Sequence, residues 1–512
     1  PPPPPPPLLC YRRQRQMCIR DSIHIESSML IPSEFARLAS VHGTVATVSD
    51  PHEIANVLGV EGVNYMIENG NKVPFKFYFG ASSCVPATPF ETAGAELGIK
   101  ELEELLARKE IRYMSEMMNF PGVINRDEFV MKKLDIAKNY GKPIDGHAPG
   151  VKGDDAKKYI EAGITTDHEC FTMDEALDKI RYGMKIQIRE GSAAKNFDEL
   201  VDLLEDHAND VLFCSDDKHP DDLVKGHINQ LIVRAIKKGY DPIKVLKSAI
   251  INPIDHYKLD TGTLQVGVPA DMIVVDDLKE FNVLETYVNG ILTARNGKTY
   301  IQSINESTPN NFHAKAISEK DIQIKPEGDC LKVMEALDGQ LITKKECIKP
   351  KIDNGSVVSD TDQDILKIVV LNRYENKTPS VAFIKNFNFK EGAIASSVAH
   401  DSHNIVAVGV DDTAIVNAIN LVVKEKGGVS LVSPEREMIL PLPVAGLMSN
   451  KDGYLVAEKY HELDRAAHSL GSKLRAPFMT LSFMALLVIP ELKLSDKGLF
   501  DGQTFSFTKL FS

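Results

Sequence analysis

Four side chains that suit a metal centre follow successive strand-like runs in the middle of this chain. They are Glu116 in YMSEMMNFPGV, His147 in IDGHAPG, His168 in TTDHEC and Asp216 in VLFCSDDKHP. Imidazole nitrogens and carboxylate oxygens bind divalent metals such as zinc, manganese, iron and cobalt. A hydrolytic centre uses such ligands and leaves a position open for water and substrate. These residues therefore predict metal-assisted hydrolysis.

The elements that must position these side chains alternate between strand and helix. Strand patterns cover residues 111–116, 143–147, 165–168, 185–190 and 210–215, and helical patterns cover residues 99–109, 126–140, 154–162 and 173–182. Such alternation favours a parallel sheet or barrel over an all-β fold. Because the C-terminal ends of the strands meet at one face of a βα barrel, we expect the four side chains to converge there.

A fifth candidate, His24, lies in the run SIHIES near the start of the barrel region. Residues two apart in a strand point to the same face, so an HxH pair can bind one ion. Here Ser22 occupies the first of the two positions. Taken alone, His24 also fits a surface or helix-capping histidine. Its joint occurrence with the other four residues favours the metal ligand.

Each of the other candidates also has an ordinary structural interpretation. A glutamate that starts a loop, such as Glu116, is usually solvated. Asp216 and Asp217 fit a helix N-cap pair. His168 lies between two acidic residues that either orient it or share its hydration. The metal hypothesis depends on all of these residues standing at strand ends of one region.

Two further clusters could contact a metal or a substrate. His52 and Glu53 lie in DPHE after the strand-like residues 44–49, which fits either the mouth of the barrel or a helix N-terminus with proline at its first position. His400 and His403 lie in HDSHN before a strand pattern at 405–410. This second cluster fits either a metal site or a polar turn.

Changes in composition divide the chain into five segments. Residues 1–21 have neither helical nor strand periodicity, residues 22–258 form the barrel-like region, and residues 259–301 are β-rich. Residues 302–320 are polar and rich in Ser, Asn and Pro, which is typical of a linker. Residues 321–512 form a second domain with strands and a helix near 412–426.

The first segment, PPPPPPPLLCYRRQRQMCIRDS up to Ser22, differs abruptly in character from the rest. It has no apolar stretch after its basic cluster, so it does not fit a secretory signal. Extended polyproline followed by a basic coil is one interpretation. The other is a translated adapter or vector sequence joined to a truncated gene.

Composition excludes several classes of function. The net charge of −13 argues against a nucleic-acid partner, because neutralising phosphates needs clustered Lys and Arg. The longest apolar run, residues 478–489, is too short to span a bilayer, which needs roughly 20 residues. Seven cysteines without a CxxC pair make a disulfide framework unexpected and fit a reducing cytoplasm.

Several motifs in order resemble the adenine deaminases of the amidohydrolase superfamily. In the barrel region they are HIESSM, DPHEIANV, EMMNFPGV, GHAPG, DHE, IREGSAAKN and CSDDKHPDDL, between residues 24 and 223. Residues 262–277 resemble the return of the small β-sandwich that flanks the superfamily's barrel. Residues 398–411 and 478–501 resemble the C-terminal domain particular to adenine deaminases. The resemblance covers nearly everything from residue 23 to about 501.

The resemblance implies a fold, a cofactor and a reaction. The fold is α/β: a TIM-like (β/α)8 barrel that lacks its N-terminal strands, a remnant of the β-sandwich, and a C-terminal α/β (α+β) domain. The cofactor is a binuclear centre of divalent metal, usually manganese or iron. The reaction converts adenine and water to hypoxanthine and ammonia in purine salvage. The expected setting is cytoplasmic, with no membrane or nucleic-acid partner and with a homodimer as the oligomer.

The resemblance also implies roles for individual residues. His24 is the remaining half of the HxH pair, Glu116 is the bridging carboxylate, and Asp216 both binds metal and transfers protons. His147 and His168 ligate the second metal. The weaker candidates for contacting the substrate are His52, Glu53, Arg189, Glu190, Ser192, Asp217, His400 and His403.

Departures from the family pattern keep two alternatives open. Ser22 stands where the family has its first barrel histidine, and the strands expected before it are absent or replaced by residues 1–21. The chain could be a catalytically impaired fragment that at most binds purines. It could also be a related hydrolase of cyclic amides, similar to dihydroorotase, although Glu116 in place of a carboxylated lysine argues against this.

Overall fold

The computed structural model describes residues 14–16 and 18–512, with side chains described from Ile23 onward. Most of the predicted foreign segment, residues 1–21, lies outside the described residues. The first large unit is a sheet of eight parallel strands that is nearly closed into a barrel. In order along the sheet the strands are Ile144–Gly146, Ile111–Met117, Lys76–Ala81, Thr44–Ser49, Cys18–His24, Val211–Asp217, Lys185–Arg189 and Thr166–Asp167.

Backbone contacts between the two outer strands close the barrel. The amide of Thr165 donates to the carbonyl of Ile144 at 2.9 Å. The amide of Gly146 donates to the Thr166 hydroxyl at 3.4 Å. All of the strand pairings in this sheet are parallel. The C-terminal ends of all eight strands therefore face the same side, as the sequence predicted.

The first barrel strand begins within residues 1–21, so of the two arrangements left open above, replacement by these residues is the one observed. Cys18–His24 pairs in parallel with Thr44–Ser49 on one side and Val211–Asp217 on the other. Backbone pairing requires only an extended segment, and the two neighbouring strands would otherwise present unpaired edges. Residues 18–21 therefore form part of the first barrel strand although they do not carry the sequence that the family has at this position.

Helices cover the outside of the barrel because each carries one apolar face. In Ile228–Lys238 the buried residues are Ile228, Leu231, Ile232 and Ala235, which recur with helical spacing. The other helices of this region are Pro32–Ser40, His52–Leu58, Val60–Gly70, Ile99–Leu106, Phe120–Ile124, Glu128–Asn139, Gly153–Glu161, Met173–Arg181, Phe197–Leu200, Leu203–Asp206, Pro220–Lys225, Pro242–Leu246 and Asn252–Tyr257, with a 3-10 turn at Ile25–Ser28 and a π-helical turn at Lys247–Ile251. The predicted helices therefore exist, with ends that differ by at most three residues.

A five-stranded antiparallel sheet lies beside the barrel. Its strands, in order, are Gln14–Gln16, Met272–Val275, Val283–Val288, Ile291–Arg295 and Lys298–Thr299. Four of these strands fall in the segment that the sequence predicted to be β-rich. The fifth comes from before the barrel, so both ends of the barrel region contribute to this sheet.

The C-terminal part is built on a second eight-stranded sheet. Its strands, in order, are Thr343–Ile348, Leu331–Ala336, Ser380–Lys385, Ile365–Leu371, Ile405–Gly409, Ala393–Ser396, Gly428–Val432 and Glu437–Pro441. Smaller sheets are formed by Ile352–Asp353 with Ser356–Val357, and by Leu492–Ser495, Gly498–Asp501 and Ser506–Phe507. The helices are Asp412–Glu425, Gly453–Ser469 and Pro477–Phe483, with a 3-10 turn at Glu319–Ile322.

This second part packs directly on the barrel, and several hydrogen bonds join the two. The amide of Ser449 donates to the carbonyl of Met29 at 2.8 Å. The side-chain amide of Asn404 donates to the carbonyl of Thr92 at 2.9 Å. Arg37 of the barrel pairs with Asp452 at 2.8 Å. The loop before Ile405–Gly409 is thereby held at the mouth of the barrel.

The structure pairs Cys330 with Cys347 in a disulfide, which the sequence did not predict. Cys330 directly precedes the strand Leu331–Ala336, and Cys347 lies on the adjacent antiparallel strand, where it faces Lys332. Only this pairing in space, and not the spacing in the sequence, identifies the bond. In the described part of the chain, no helix has both the length and the apolar character needed to cross a membrane.

Candidate metal centre

The five predicted metal ligands line one buried cavity at the C-terminal ends of the barrel strands. They are His24, Glu116, His147, His168 and Asp216, and each is less than a tenth exposed. The sequence separates them by almost two hundred residues. The parallel topology brings them together because each stands at or just beyond the C-terminal end of its strand.

Glu116 lies at the centre of the cluster. Its Oε2 is 3.1 Å from Nε2 of His168 and 3.4 Å from Nδ1 of His147. Its Oε1 is 3.9 Å from Nε2 of His24 and 3.8 Å from Nδ1 of His52. One carboxylate therefore faces two separate pairs of imidazoles, which is the arrangement of a ligand shared between two cation positions.

Several buried polar atoms of the cluster lack a hydrogen-bond partner, which fits a bound cation. Both ring nitrogens of His147, Nδ1 of His168 and Oε2 of Glu116 are buried and accept or donate no hydrogen bond within the protein. Buried polar atoms are rarely left in this state unless water or an ion satisfies them. The donors are imidazole and carboxylate only, which suits several divalent metals and does not select among them.

His24 is oriented so that one nitrogen is directed at the cluster. Its Nδ1 donates to the backbone carbonyl of Asp50 at 3.3 Å. Its Nε2 lies 3.3 Å from Oδ1 of Asp216. A hydrogen bond of this kind fixes the tautomer of a metal-binding histidine and leaves the other nitrogen available to the ion.

An ion-pair network holds the carboxylates on the other side of the cavity. Arg189 donates to both oxygens of Glu169 and, at 2.7 Å, to Oδ2 of Asp216. Burial alone would raise the pKa of Asp216, but Arg189, His24 and His168 together outweigh it and hold this pKa below its usual range. Asp216 has a φ of +53°, a strained backbone conformation of the kind that clusters at functional sites.

Charge also keeps the central carboxylate ionised. Burial would raise the pKa of Glu116, but His147 and then His168 lower it well below the usual value. Asp217 behaves in the opposite way, because burial and the neighbouring charge of Asp216 raise its pKa to about 6. Adjacent carboxylates of the same strand end thus lie in very different environments.

The C-terminal part supplies one wall of the cavity through His400. Its Nδ1 lies 3.0 Å from Oε1 of Glu53, and its ring stacks on Phe483 with centroids 4.8 Å apart and 17° between the planes. The Ser27 hydroxyl lies within hydrogen-bonding distance of both Glu53 at 3.2 Å and Asp217 at 2.5 Å. This wall combines a flat aromatic surface with hydrogen-bonding groups.

The remaining predicted residues lie in three different places. His52 lines the cavity and contacts Asp50 at 2.9 Å and Asp401 at 3.6 Å. His403 lies behind the cavity wall, with Nε2 3.7 Å from Glu53. Arg189 lines the cavity but its guanidinium is occupied by carboxylates.

Glu190 and Ser192 do not line this cavity. Glu190 pairs with Arg234 at 2.8 Å on the outer helix, because it points to the opposite face of its strand from Arg189. The Ser192 hydroxyl donates to Asp222 at 2.7 Å and accepts from the amide of His219. Both residues fix the loops around the site.

Sequence reasoning missed six residues of the cavity wall: Met118, Glu169, Leu341, Asp401, Phe483 and Leu486. Glu169 was visible as the acid beside His168, and Asp401 as part of HDSHN. Phe483 and Leu486 lie in an ordinary apolar run, Leu341 lies in a largely polar stretch, and no local signal marks any of the three as lining a site.

A parallel barrel with imidazole and carboxylate ligands at its C-terminal face defines a metal-dependent hydrolase. Residues 23–293 match the family described as "Amidohydrolase family", and residues 340–506 match "Adenine deaminase C-terminal domain". An adenine deaminase of Sulfurovum sp. (strain NBC37-1) is 56% identical over 95% of this chain and 90% of that protein. One of Salinibacter ruber is 54% identical over 96% and 90%. The chain belongs to the adenine deaminase family of amidohydrolases, a family that implies a divalent metal.

Proposed function

We propose that this chain catalyses the hydrolytic deamination of adenine to hypoxanthine and ammonia. The observation that carries the proposal is the convergence of His24, Glu116, His147, His168 and Asp216 on one buried cavity in a chain of this family. Turnover is tested by following the ultraviolet change from adenine to hypoxanthine in protein loaded with a divalent metal. An absence of turnover in protein with a complete ligand set would refute the proposal.

The ligand set supports two cation positions that share Glu116. His147 and His168 complete one position, and His24 with Asp216 belongs to the other. His52 is a further candidate for the second position, since its ring lies within reach of both His24 and Glu116. The family pattern suggests manganese or iron for the pair, although the donor atoms themselves do not select among divalent metals. When bound, the cations supply Lewis-acid activation of the attacking water.

Asp216 is proposed to handle the protons of the reaction. Its carboxylate lies between His24 and Arg189, at the edge of the cavity that would hold the water. It accepts a proton from the water and returns it to the amine that leaves from the purine, which is general acid–base catalysis. Arg189 and Glu169 hold it in place and do not themselves need to touch the purine.

The wall formed by Glu53, His400 and Phe483 is proposed to bind the purine ring. Binding sites for flat heterocycles combine an aromatic surface with a few convergent polar groups. Glu53 orients His400 by accepting from its ring, so the other nitrogen of His400 is available for a ring nitrogen of adenine. Asp217, which Ser27 holds beside Glu53, offers a second hydrogen-bonding group.

Replacing His400 with alanine is expected to raise the KM for adenine by roughly 10- to 100-fold, since a hydrogen-bonding and a stacking partner are lost together. Metal content should stay unchanged, because His400 is outside the five-residue ligand set. His461→Ala is the matched control, because His461 is about half exposed on a surface helix. Steady-state kinetics with metal analysis measure both quantities. An unchanged KM in H400A would remove His400 from the purine site.

Three broader expectations remain predictions: manganese or iron as the native metal, a homodimer, and a cytoplasmic setting with a role in purine salvage. Metal analysis of protein purified without added metal tests the first. Light scattering on the purified chain tests the second, and a monomeric mass would contradict it.

A further inference from the structure

A buried lysine, Lys493, connects the two segments of the C-terminal part that cover the metal cavity. Its ammonium donates to the carbonyl of Leu341 at 2.6 Å and to the carbonyl of Phe483 at 2.9 Å. Both of these residues line the cavity. Lys493 itself lies in the strand Leu492–Ser495, is fully buried and does not reach the cavity.

The surroundings of Lys493 are unusual for a buried cation. Burial alone lowers its pKa to about 7, and no charge among the described residues offsets this. A buried ammonium without a carboxylate is unfavourable for folding, and an apolar side chain of similar length would avoid that cost. A contribution to folding stability therefore does not explain why a lysine occupies this position. What it does provide is two donors to carbonyls that are far apart in the chain.

Leu341 occupies a boundary between two cavities. A larger cavity of about 750 Å³ lies outside the metal cavity, between the barrel and the C-terminal part. Leu341 and Glu169 are the two residues that line both. Phe483 also lines the metal cavity and stacks on His400. These two side chains therefore bound the space left for a purine.

We propose that Lys493 is a positioning residue for purine binding, which fixes Leu341 and Phe483 over the metal cavity. This inference rests on the proposed function, because it assumes that the cavity binds a purine. Lys493 acts only through the two carbonyls that it holds. Other hydrogen bonds, such as that from the Thr343 hydroxyl to the carbonyl of Leu492 at 2.8 Å, hold the strand Leu492–Ser495 in place. Loss of the Lys493 side chain is therefore expected to loosen the segments of Leu341 and Phe483 without unfolding the protein.

The test compares Lys493→Met, Lys493→Arg, Leu341→Ala and the unaltered chain. Lys344→Met is the matched control, since Lys344 is exposed on the neighbouring strand. The main measurement is the Kd for adenine and hypoxanthine by calorimetry on manganese-loaded protein, which does not require turnover. Metal content and melting temperature are measured in parallel. Where turnover is present, KM and kcat are compared as well.

We expect K493M and L341A each to weaken purine binding about tenfold or more, which corresponds to ~1.4 kcal/mol. Metal content should not change, KM should rise more than kcat falls, and K493R should recover most of the affinity. A purely structural role would instead lower the melting temperature and the fraction of active protein without changing Kd or KM. If K493M does not fold, L341A and K493R decide the result.

Two outcomes would overturn the inference. The first is a purine affinity in K493M or L341A that equals that of the unaltered chain. This result would show that the positions of Leu341 and Phe483 do not determine purine binding, and it would leave the proposed function intact. An unaltered, metal-loaded chain without measurable purine affinity would overturn both the inference and the proposed function.

Discussion

Replacing Ser22 with histidine is expected to raise the affinity for divalent metal by about 10- to 100-fold or more, because even the loss of a group that only supports a ligand changes affinity by that factor. The strand Cys18–His24 is in register beside Val211–Asp217, with Ile23 facing Asp216. Position 22 lies two residues before His24, which is the spacing of an HxH pair. A histidine there would complete the HxH pair that the family pattern implies.

The measurement is a metal titration followed by an assay of adenine turnover, in the unaltered chain and in S22H. Ser22→Gln is the control, since glutamine is similar in size to histidine but a poor ligand for these ions. Turnover should appear or increase in S22H and stay unchanged in S22Q. Equal metal affinity in S22H and the unaltered chain would show that position 22 does not face the centre.

Replacing Glu116 with glutamine in the S22H background is expected to abolish most of the activity, with a loss on the order of 10³-fold or more. Glu116 is the group that faces both imidazole pairs, so its change weakens both cation positions at once and exceeds the 10- to 100-fold loss typical of a supporting residue. Metal content per chain should fall together with kcat.

Glu110→Gln provides the comparison, because Glu110 is exposed and directly precedes the same strand. Metal analysis and the turnover of adenine are measured for both variants in parallel. Full metal occupancy with near-normal turnover in E116Q would contradict the shared-ligand arrangement. A fall in metal content alone, with kcat per bound metal unchanged, would assign Glu116 to metal binding without a part in the chemistry.

The sequence predicted the barrel side of this site because the signals there are local. Glu116, His147, His168 and Asp216 each follow a recognisable strand, and parallel topology then requires that they meet. The approximate helix limits follow from the spacing of apolar residues, as in Ile228–Lys238. The exact ends of the helices cannot be read from this spacing, because the last turn depends on contacts outside the helix.

The other parts of the site depend on contacts between segments that are distant in the sequence, and no local pattern encodes such contacts. His400 approaches Glu53 only because the C-terminal part packs over the barrel mouth. Arg189 and Glu190 are adjacent in the sequence, yet one points into the barrel and the other towards the outer helix. The part of the first barrel strand that precedes Ser22 could not be predicted either, since backbone pairing accepts residues that carry no family signature.

Metal binding and the proposed purine binding depend on different parts of the protein. The barrel alone contributes the five proposed metal ligands, whereas His400, Phe483 and Leu341 belong to the C-terminal part. Changes in that part can therefore alter which molecule fits without touching a single residue that holds a cation. Exchange of the covering domain between relatives would make this scaffold a natural starting point for hydrolases with new substrates and unchanged chemistry.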